Sequence, residues 1–293
     1  MKIFSDDKAF YKGNLHTHTR LSDGRKTPEE AVELYRAGGY SFIAITDHRK
    51  RFPGLTTDDF IVLPGGEYHH QPGVTAYHIV GVGMESDVVT DDSSSPQEII
   101  DKIRDAGGFP ILAHPAWSLM TAEDGLALHG YEAVEIYNGI SAGYGNRGYS
   151  DTFIDTCAAH GRLTGIMAAD DAHFYEGYDE LKGFICVQVD EFSTKGIMDA
   201  LWAGKYYAST GPALSQIEID DEGILHVTCS PVREIYFMSN TWYVSGRTVR
   251  APQGETITSA AYKPVARDQW VRVEGCDEKG GRFYSNFIRI NRA

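Results

Sequence analysis

Up to about residue 210, short apolar runs rich in β-branched residues alternate with amphipathic stretches of helical period. The runs at 14–19, 40–48, 60–67, 76–83, 109–115, 133–138, 163–173 and 184–189 predict strands, with 76–83 as a hairpin partner of the run before it. The stretches at 27–39, 95–108, 150–159 and 194–204 predict helices. Two of these helices open alike. Thr27-Pro28-Glu29-Glu30 and Ser95-Pro96-Gln97-Glu98 each place a hydroxyl before a proline and a glutamate three residues on. That is a capping box with proline at the first helical position. Gly38-Gly39 and Gly107-Gly108 stop them. The glycine-rich run 139–148 reads as a loop. Strand and helix in alternation predict a parallel sheet, open or closed into a barrel. Beyond Ser209-Thr210-Gly211-Pro212 the helical period disappears. Short runs at 217–219, 225–229, 234–238, 270–274 and 283–290, with turn signals at 220–223 and 277–281, predict a small antiparallel β module from 211 to the end.

In parallel α/β folds the active site gathers at the carboxyl ends of the strands, and the chemistry-bearing residues of this chain fall there. His16 and His18, two apart on an extended run, share one face, and a pair of imidazoles suits a first-row metal ion. Asp23 follows in the turn Ser22-Asp23-Gly24. His48, Glu67 and His114 end their runs, His78 sits near the start of its own, and Asp171-Ala172-His173 closes another. Any one of these has an ordinary explanation as a capped strand end or a turn. Nine together do not, because buried imidazoles and carboxylates are costly without partners and a metal cluster is their natural partner.

The 293 residues allow one large domain, or a barrel of roughly 200 residues with a small module. Apolar residues at 42% suffice for a packed core. The net charge of −14 repels a phosphate backbone, so stable nucleic-acid binding is not expected. Cys157, Cys186, Cys229 and Cys276 form no CxxC pair and read as small buried hydrophobes in a reducing compartment. The first seven residues lack the apolar centre of a secretion signal, and no run approaches the roughly 18 apolar residues of a membrane span. A cytoplasmic protein without a membrane partner is therefore expected, with its oligomeric state open.

Six segments, taken in order, resemble the motifs of the PHP (polymerase and histidinol phosphatase) family over roughly residues 10–210. They are His16-Thr17-His18 with Asp23, Ile45-Thr46-Asp47-His48, Gly66-Glu67, His78-Ile79-Val80-Gly81, Ala113-His114-Pro115 and Asp170-Asp171-Ala172-His173. The resemblance implies an α/β fold, a distorted (β/α)7 TIM-like barrel of residues 1–210. A small antiparallel β-sandwich-like domain of residues 211–293 follows, as in the two-domain branch of metal-dependent phosphoesterases. It also implies two or three divalent ions of zinc, manganese or iron. The first would take His16, His18, Glu67 and Asp171. The second would take Glu67, His78 and His114, with Glu67 bridging. The third would take Asp23, His48 and His173. In some members a histidine stands where this chain has Asp23.

Two divalent ions about 3.5–4 Å apart lower the pKa of a shared water and clamp the attacked phosphorus. The expected activity is hydrolysis of a phosphomonoester or phosphodiester of a small metabolite or nucleotide, by metal-activated hydroxide at a di- or trinuclear centre. Amide or carbamate hydrolysis at the same centre is the alternative, and a non-catalytic binding protein is a third. The expected catalytic residues are Glu67, Asp171, Arg20 and Arg147. Arg20 and Arg147 are candidates for gripping a phosphate bidentately, and Asn138, beside Tyr137, is expected to line the pocket. Asp170 is expected to orient a histidine from behind. His69 and His70 belong at the rim, and Arg49-Lys50-Arg51 form either an anion-steering edge or an exposed loop.

Overall fold

The computed structural model describes residues 1–5, 7–57 and 59–290. The first part of the chain runs β1 (Phe10–Asn14), α1 (Pro28–Ala37), β2 (Phe42–Ala44), β3 (Leu55–Thr56), β4 (Ile61–Leu63), β5 (Gly65–His70), β6 (Tyr77–Val82), α2 (Pro96–Asp105) and β7 (Phe109–Leu112). It continues with α3 (Ala122–Ala127), β8 (Ala133–Asn138), α4 (Gly139–Gly145), α5 (Asp151–Ala159), β9 (Gly165–Ala169), β10 (Phe184–Gln188), α6 (Thr194–Trp202) and β11 (Tyr206–Ser209). The remainder is all strand: β12 (Leu214–Ile219), β13 (Leu225–Val232), β14 (Glu234–Ser239), β15 (Thr248–Arg250), β16 (Ile257–Tyr262), β17 (Trp270–Cys276), β18 (Arg282–Tyr284) and β19 (Ile288–Arg289).

The architecture is mixed α/β, and among the described residues the strands of the first part belong to two ladders rather than one closed ring. In the first, β1 pairs parallel with β2, and β2 with β4, while β10 and β11 add antiparallel on the other side of β1. In the second, β5, β6 and β7 are antiparallel, and β7, β8 and β9 are parallel. The split falls at Pro64. The expected single strand 60–67 is two, because proline offers no N–H to a ladder, so β4 stays in one sheet and β5 begins the other. Both sheets face one core, to which Leu15, Phe42, Leu63, Ile79, Ile111 and Ile166 all contribute. Isolated bridges between Thr17 and Ala172 and between His48 and Glu67 tie the sheets together at the end where the candidate ligands lie.

Local chemistry also moves the first strand. A strand was expected at 14–19, but β1 ends at Asn14. The buried Asn14 amide donates to the His16 carbonyl at 2.9 Å and to Thr17 Oγ1 at 2.7 Å, offering the chain an alternative to the ladder. His16 and His18 thus sit just beyond the strand. The run 139–148, expected as loop, begins with α4. Asn138 accepts from the Ser141 N–H and caps it. Both expected capping boxes are present.

The β module is not a free sandwich. β12, β13 and β16 form a three-stranded sheet, but β14, β15, β17 and β18 extend the first sheet of the α/β part through β18 pairing with β11. The module core, with Ile217, Val227, Phe237, Val271 and Phe283, also takes in Phe4, Cys186 and Tyr207 from the α/β part. The Ile3 N–H donates to the Ile217 carbonyl at 2.9 Å, so the first residues pair with the module too. The last three positions of the expected module, 291–293, lie outside the described residues. All four cysteines are free thiols, and among the described residues no helix is long and apolar enough to cross a membrane.

Candidate metal centre

All nine candidate ligands converge. They form three groups, His16 with His18 and Asp171, Glu67 with His78 and His114, and Asp23 with His18, His48 and His173, and within each group one donor atom per residue lies within 4.8 Å of the others. His16 and His18 are fully buried beyond β1, and their Nε2 atoms are 3.2 Å apart. Asp171 Oδ1 is 3.1 Å from His16 Nε2 and 3.0 Å from His18 Nε2. Glu67, on β5, is central. Its Oε1 lies 2.8 Å from His78 Nδ1 and 3.5 Å from His114 Nε2. Its Oε2 lies 2.9 Å from His48 Nδ1 and 3.3 Å from His18 Nε2. Asp23, half exposed, is 3.4 Å from His173 Nε2 and 3.6 Å from His48 Nε2.

These residues fit divalent cations. Glu67 Oε2, Asp171 Oδ1 and His48 Nδ1 are buried and have no aligned hydrogen bond in the protein, although Glu67 Oε2 and His48 Nδ1 are close together. Buried polar atoms without a partner are rare in folded proteins, and imidazole with carboxylate is a donor set that suits zinc, manganese and iron. Two of the candidate ligands also sit in left-handed backbone, His114 at φ 31° and Asp171 at φ 54°. Such strain persists only where the surroundings enforce it.

The electrostatics are those of a mixed-charge cage. Burial alone would neutralise Glu67, yet the imidazoles of His78 and His16 hold its carboxyl well below the usual range. Asp171, opposed by burial, is lowered by His16 and His18. Burial likewise works against the charged form of His173, but Asp23 and Asp171 override it and raise its pKa to about 9.

Behind the candidate ligands stands a carboxylate that the sequence reading passed over. Glu135, buried in β8, accepts from His16 Nδ1 at 2.7 Å, from the His114 N–H at 2.9 Å and from Asn138 Nδ2 at 2.8 Å. It turns His16 Nε2 toward the cluster. Asp47 is a second omission. It accepts from the Thr19 N–H and hydroxyl and from Ser22, which fixes the turn that carries Asp23. The signal for both was in the sequence, a carboxylate within a buried apolar run.

Other expectations shift. Asn138 is buried behind the site, holding Glu135 and, at 3.2 Å, Asp171 Oδ2. Neither it nor Tyr137 lines the cavity. Arg20 and Arg147 are exposed and do not line it either. The Arg20 guanidinium instead donates to the Arg25 carbonyl. Asp170 orients no histidine. It accepts from Tyr35 and from the N–H groups of Leu181, Lys182 and Gly183, and burial still pushes its pKa up to about 6. His69 stacks beside His78 at 5.3 Å but joins none of the three groups. Arg49 and Arg51 are engaged by Asp92 and by the Met84 carbonyl. Above the candidate ligands opens a cavity of about 430 Å³, walled by Trp117, Ile140, Ser141, Tyr144, Gly145 and Tyr175.

No family model matches the chain. An uncharacterized protein of Methanocaldococcus jannaschii is 28% identical over 121 residues, 36% of this chain and 67% of that one. Among solved structures, a two-domain protein from Bacteroides vulgatus containing a predicted PHP-like metal-dependent phosphoesterase is similar over 97% of both chains, at 16% identity and a TM-score of 0.53. An amidohydrolase from Chromobacterium violaceum matches 57% of this chain and 89% of its own, at 18% identity and a TM-score of 0.42. The lesion-specific endonuclease Q of Pyrococcus furiosus matches 67% of this chain and 56% of its own, at 12% identity and a TM-score of 0.46.

Proposed function

We propose that this chain, which has the fold of the PHP-like two-domain protein, is a metal-dependent hydrolase of phosphate esters. The observation that carries the reading is the cage itself. Carboxylates and imidazoles from separate segments converge, and buried Glu67 Oε2 and Asp171 Oδ1 face imidazole nitrogens of the cage without an aligned hydrogen bond. Residues 1–210 would form the catalytic part and 211–293 the supporting β module. Its setting would be the cytoplasm, in keeping with four free thiols.

In this reading His16, His18, Glu67 and Asp171 hold one ion, Glu67, His78 and His114 a second, and Asp23, His48 and His173 a third. The metal is zinc, manganese or iron. Such ions supply Lewis acidity, which activates water near neutral pH and offsets charge on the phosphoryl oxygens. The chain's own residues do the rest. Glu67 presents one oxygen to His78 and His114 and the other to His48 and His18, so one carboxylate links the groups. Glu135 fixes the His16 tautomer and so keeps a lone pair aimed at the centre. Trp117 and α4 wall the cavity above the cage. Arg20 and Arg147 have no part in this reading, because neither guanidinium reaches the cavity. The expectation of no stable nucleic-acid binding rests on net charge alone, and endonuclease Q itself is known in complex with a 27-mer DNA duplex. The substrate favoured here is nonetheless small.

Metal analysis of the purified protein, with turnover of p-nitrophenyl phosphate and bis-p-nitrophenyl phosphate in added Mn²⁺ or Zn²⁺, tests the proposal. Bound metal with release of p-nitrophenol is expected. Bound metal with no turnover of either ester would overturn ester hydrolysis. Added metal should also raise the melting temperature, by mass action on the folded state, and Glu67→Gln should abolish most of that rise.

A further inference from the structure

The β module carries a surface feature that neither its core nor its seam with the α/β part explains. The loop between β14 and β15 exposes Trp242 at 96% and Tyr243 at 71%, whereas Trp270, on β17 of the same module, is 2% exposed. The loop is nevertheless built from below. Buried Asp268 accepts from the Ser239 hydroxyl at 2.6 Å, from the Tyr262 hydroxyl at 2.7 Å, from the Val265 N–H at 2.9 Å and from Arg247 Nη2 at 2.8 Å. Arg247 also donates to the Thr241 carbonyl, and the Thr241 N–H donates to Ser239 Oγ at 3.1 Å. The Asn240 side chain reaches the next loop, donating to the Arg267 carbonyl at 3.1 Å and accepting from the Gln269 N–H at 2.8 Å. The chain therefore enters and leaves the tip at fixed points. The two rings, with centroids 6.4 Å apart and planes inclined by 38°, form a shallow bent face.

The surroundings narrow what this face can take. Among the described residues no other large apolar side chain of the module is exposed. Two such rings offer roughly 300–500 Å² of contact, short of the about 800 Å² a side that a stable protein interface uses. A nucleic acid or an anionic membrane would also take up exposed rings, but each needs a positive surface. The chain has a net charge of −14, and Arg247, the cation at the base of the loop, is spent on Asp268. What fits is a neutral ligand with an apolar face and a hydroxyl edge. A pyranose has both. Its C–H face packs on indole and phenol, and its hydroxyls meet a polar rim in which Ser245 and Gln269 are exposed. Tryptophan and tyrosine supply such contact at low entropic cost, since each side chain has only two torsions to fix.

We propose that Trp242 and Tyr243 form a binding site for a neutral oligosaccharide on the β module. The site is separate from the metal cage, because neither residue lines the cavity above it, and it stands whether or not the cage cleaves phosphate esters.

The test uses the whole protein with maltohexaose, cellohexaose and chitohexaose as probes, followed by calorimetry and tryptophan fluorescence. At least one should bind, shifting the emission to the blue as Trp242 leaves water. Its affinity should be the same at low and high salt, since no charge is screened. Trp242→Ala should weaken binding by about tenfold or more, as truncation of an aromatic anchor does. Tyr243→Ala should also weaken it, and Trp242→Phe should retain most of it. Both side chains lie on the surface, so the circular-dichroism spectrum of each variant should match the wild type. No binding of any of the three sugars, or binding that survives both alanine variants, overturns the site. Trp242-dependent capture by phosphatidylglycerol vesicles, or a concentration-dependent dimer lost in Trp242→Ala, in either case without sugar binding, would overturn it in favour of a membrane or a second copy.

Discussion

At the scale of single residues, the site depends on one carboxylate that binds no metal in the proposed ligand sets. Glu135 spends both oxygens, one on His16 Nδ1 and the other on the His114 N–H and Asn138. Its charge favours the tautomer in which His16 Nε2 is free for a ligand bond, and such outer partners typically govern metal affinity by about 10–100-fold. Glu135→Gln keeps the volume and removes the charge. Metal affinity, read by competition with a coloured chelator, should fall by about that factor, while the circular-dichroism spectrum stays unchanged. Unaltered affinity would mean that Glu135 only fills space. Most of the candidate ligands were legible because they are polar residues at or near the end of an apolar run, where periodicity breaks, while Asp23 showed only as a carboxylate in a turn. Glu135 was not, because it sits inside the run Ala133–Asn138, where pattern reading sees a strand and looks past the charge. The arginines failed for the opposite reason. Sequence proximity to a motif says nothing of direction, and Arg20 turns back to its own loop.

At the scale of elements, the helices were read best, since their signals are local. In α1 and α2 the hydroxyl of Thr27 or Ser95 accepts from the third helical N–H, and the glutamate three residues on returns the bond. Replacing Ser95 with alanine should cost about 1 kcal/mol, visible as a lower urea midpoint with the metal content intact. A loss of metal would show that α2 is coupled to the site more tightly than its position suggests. Strand ends were read less well. Pro64 divides one expected strand between two sheets, and Asn14 ends another early. At Pro64 the imide overrides a continuous apolar pattern, and at Asn14 a side-chain amide overrides an extended reading that rested on the spacing of His16 and His18. The helix α4 was missed because glycine lowers helix propensity, whereas the Asn138 cap and the close approach of Gly148 to Ala142, where a Cβ would lie 2.4 Å from the Ala142 Cβ, hold the turn in place.

At the scale of the whole molecule, the division near residue 210 is a change of texture rather than a gap. β11 falls outside every predicted strand, being only four residues long, and its partner β18 lies more than seventy residues away. The clearest consequence lies at Arg272. It is fully buried on β17, yet its Nη2 lies 2.9 Å from both carboxylate oxygens of Asp155 in α5, and its Nη1 bonds Glu274. Arg282 reaches the other oxygen of Glu274 at 3.3 Å. A guanidinium matches two carboxylates at once, and here it joins the module to the α/β part through their interior. Arg272→Ala would leave buried acid without its cation, and breaking such a pair costs about 3–5 kcal/mol. With the continuous sheet and the shared core, that loss should be felt by both parts together. Urea unfolding followed by tryptophan fluorescence and by circular dichroism should give a single transition for the wild type. The variant should also give one, shifted to lower urea. Two separated transitions in the wild type would show that the module folds independently and that Arg272 fastens two finished domains instead of completing one.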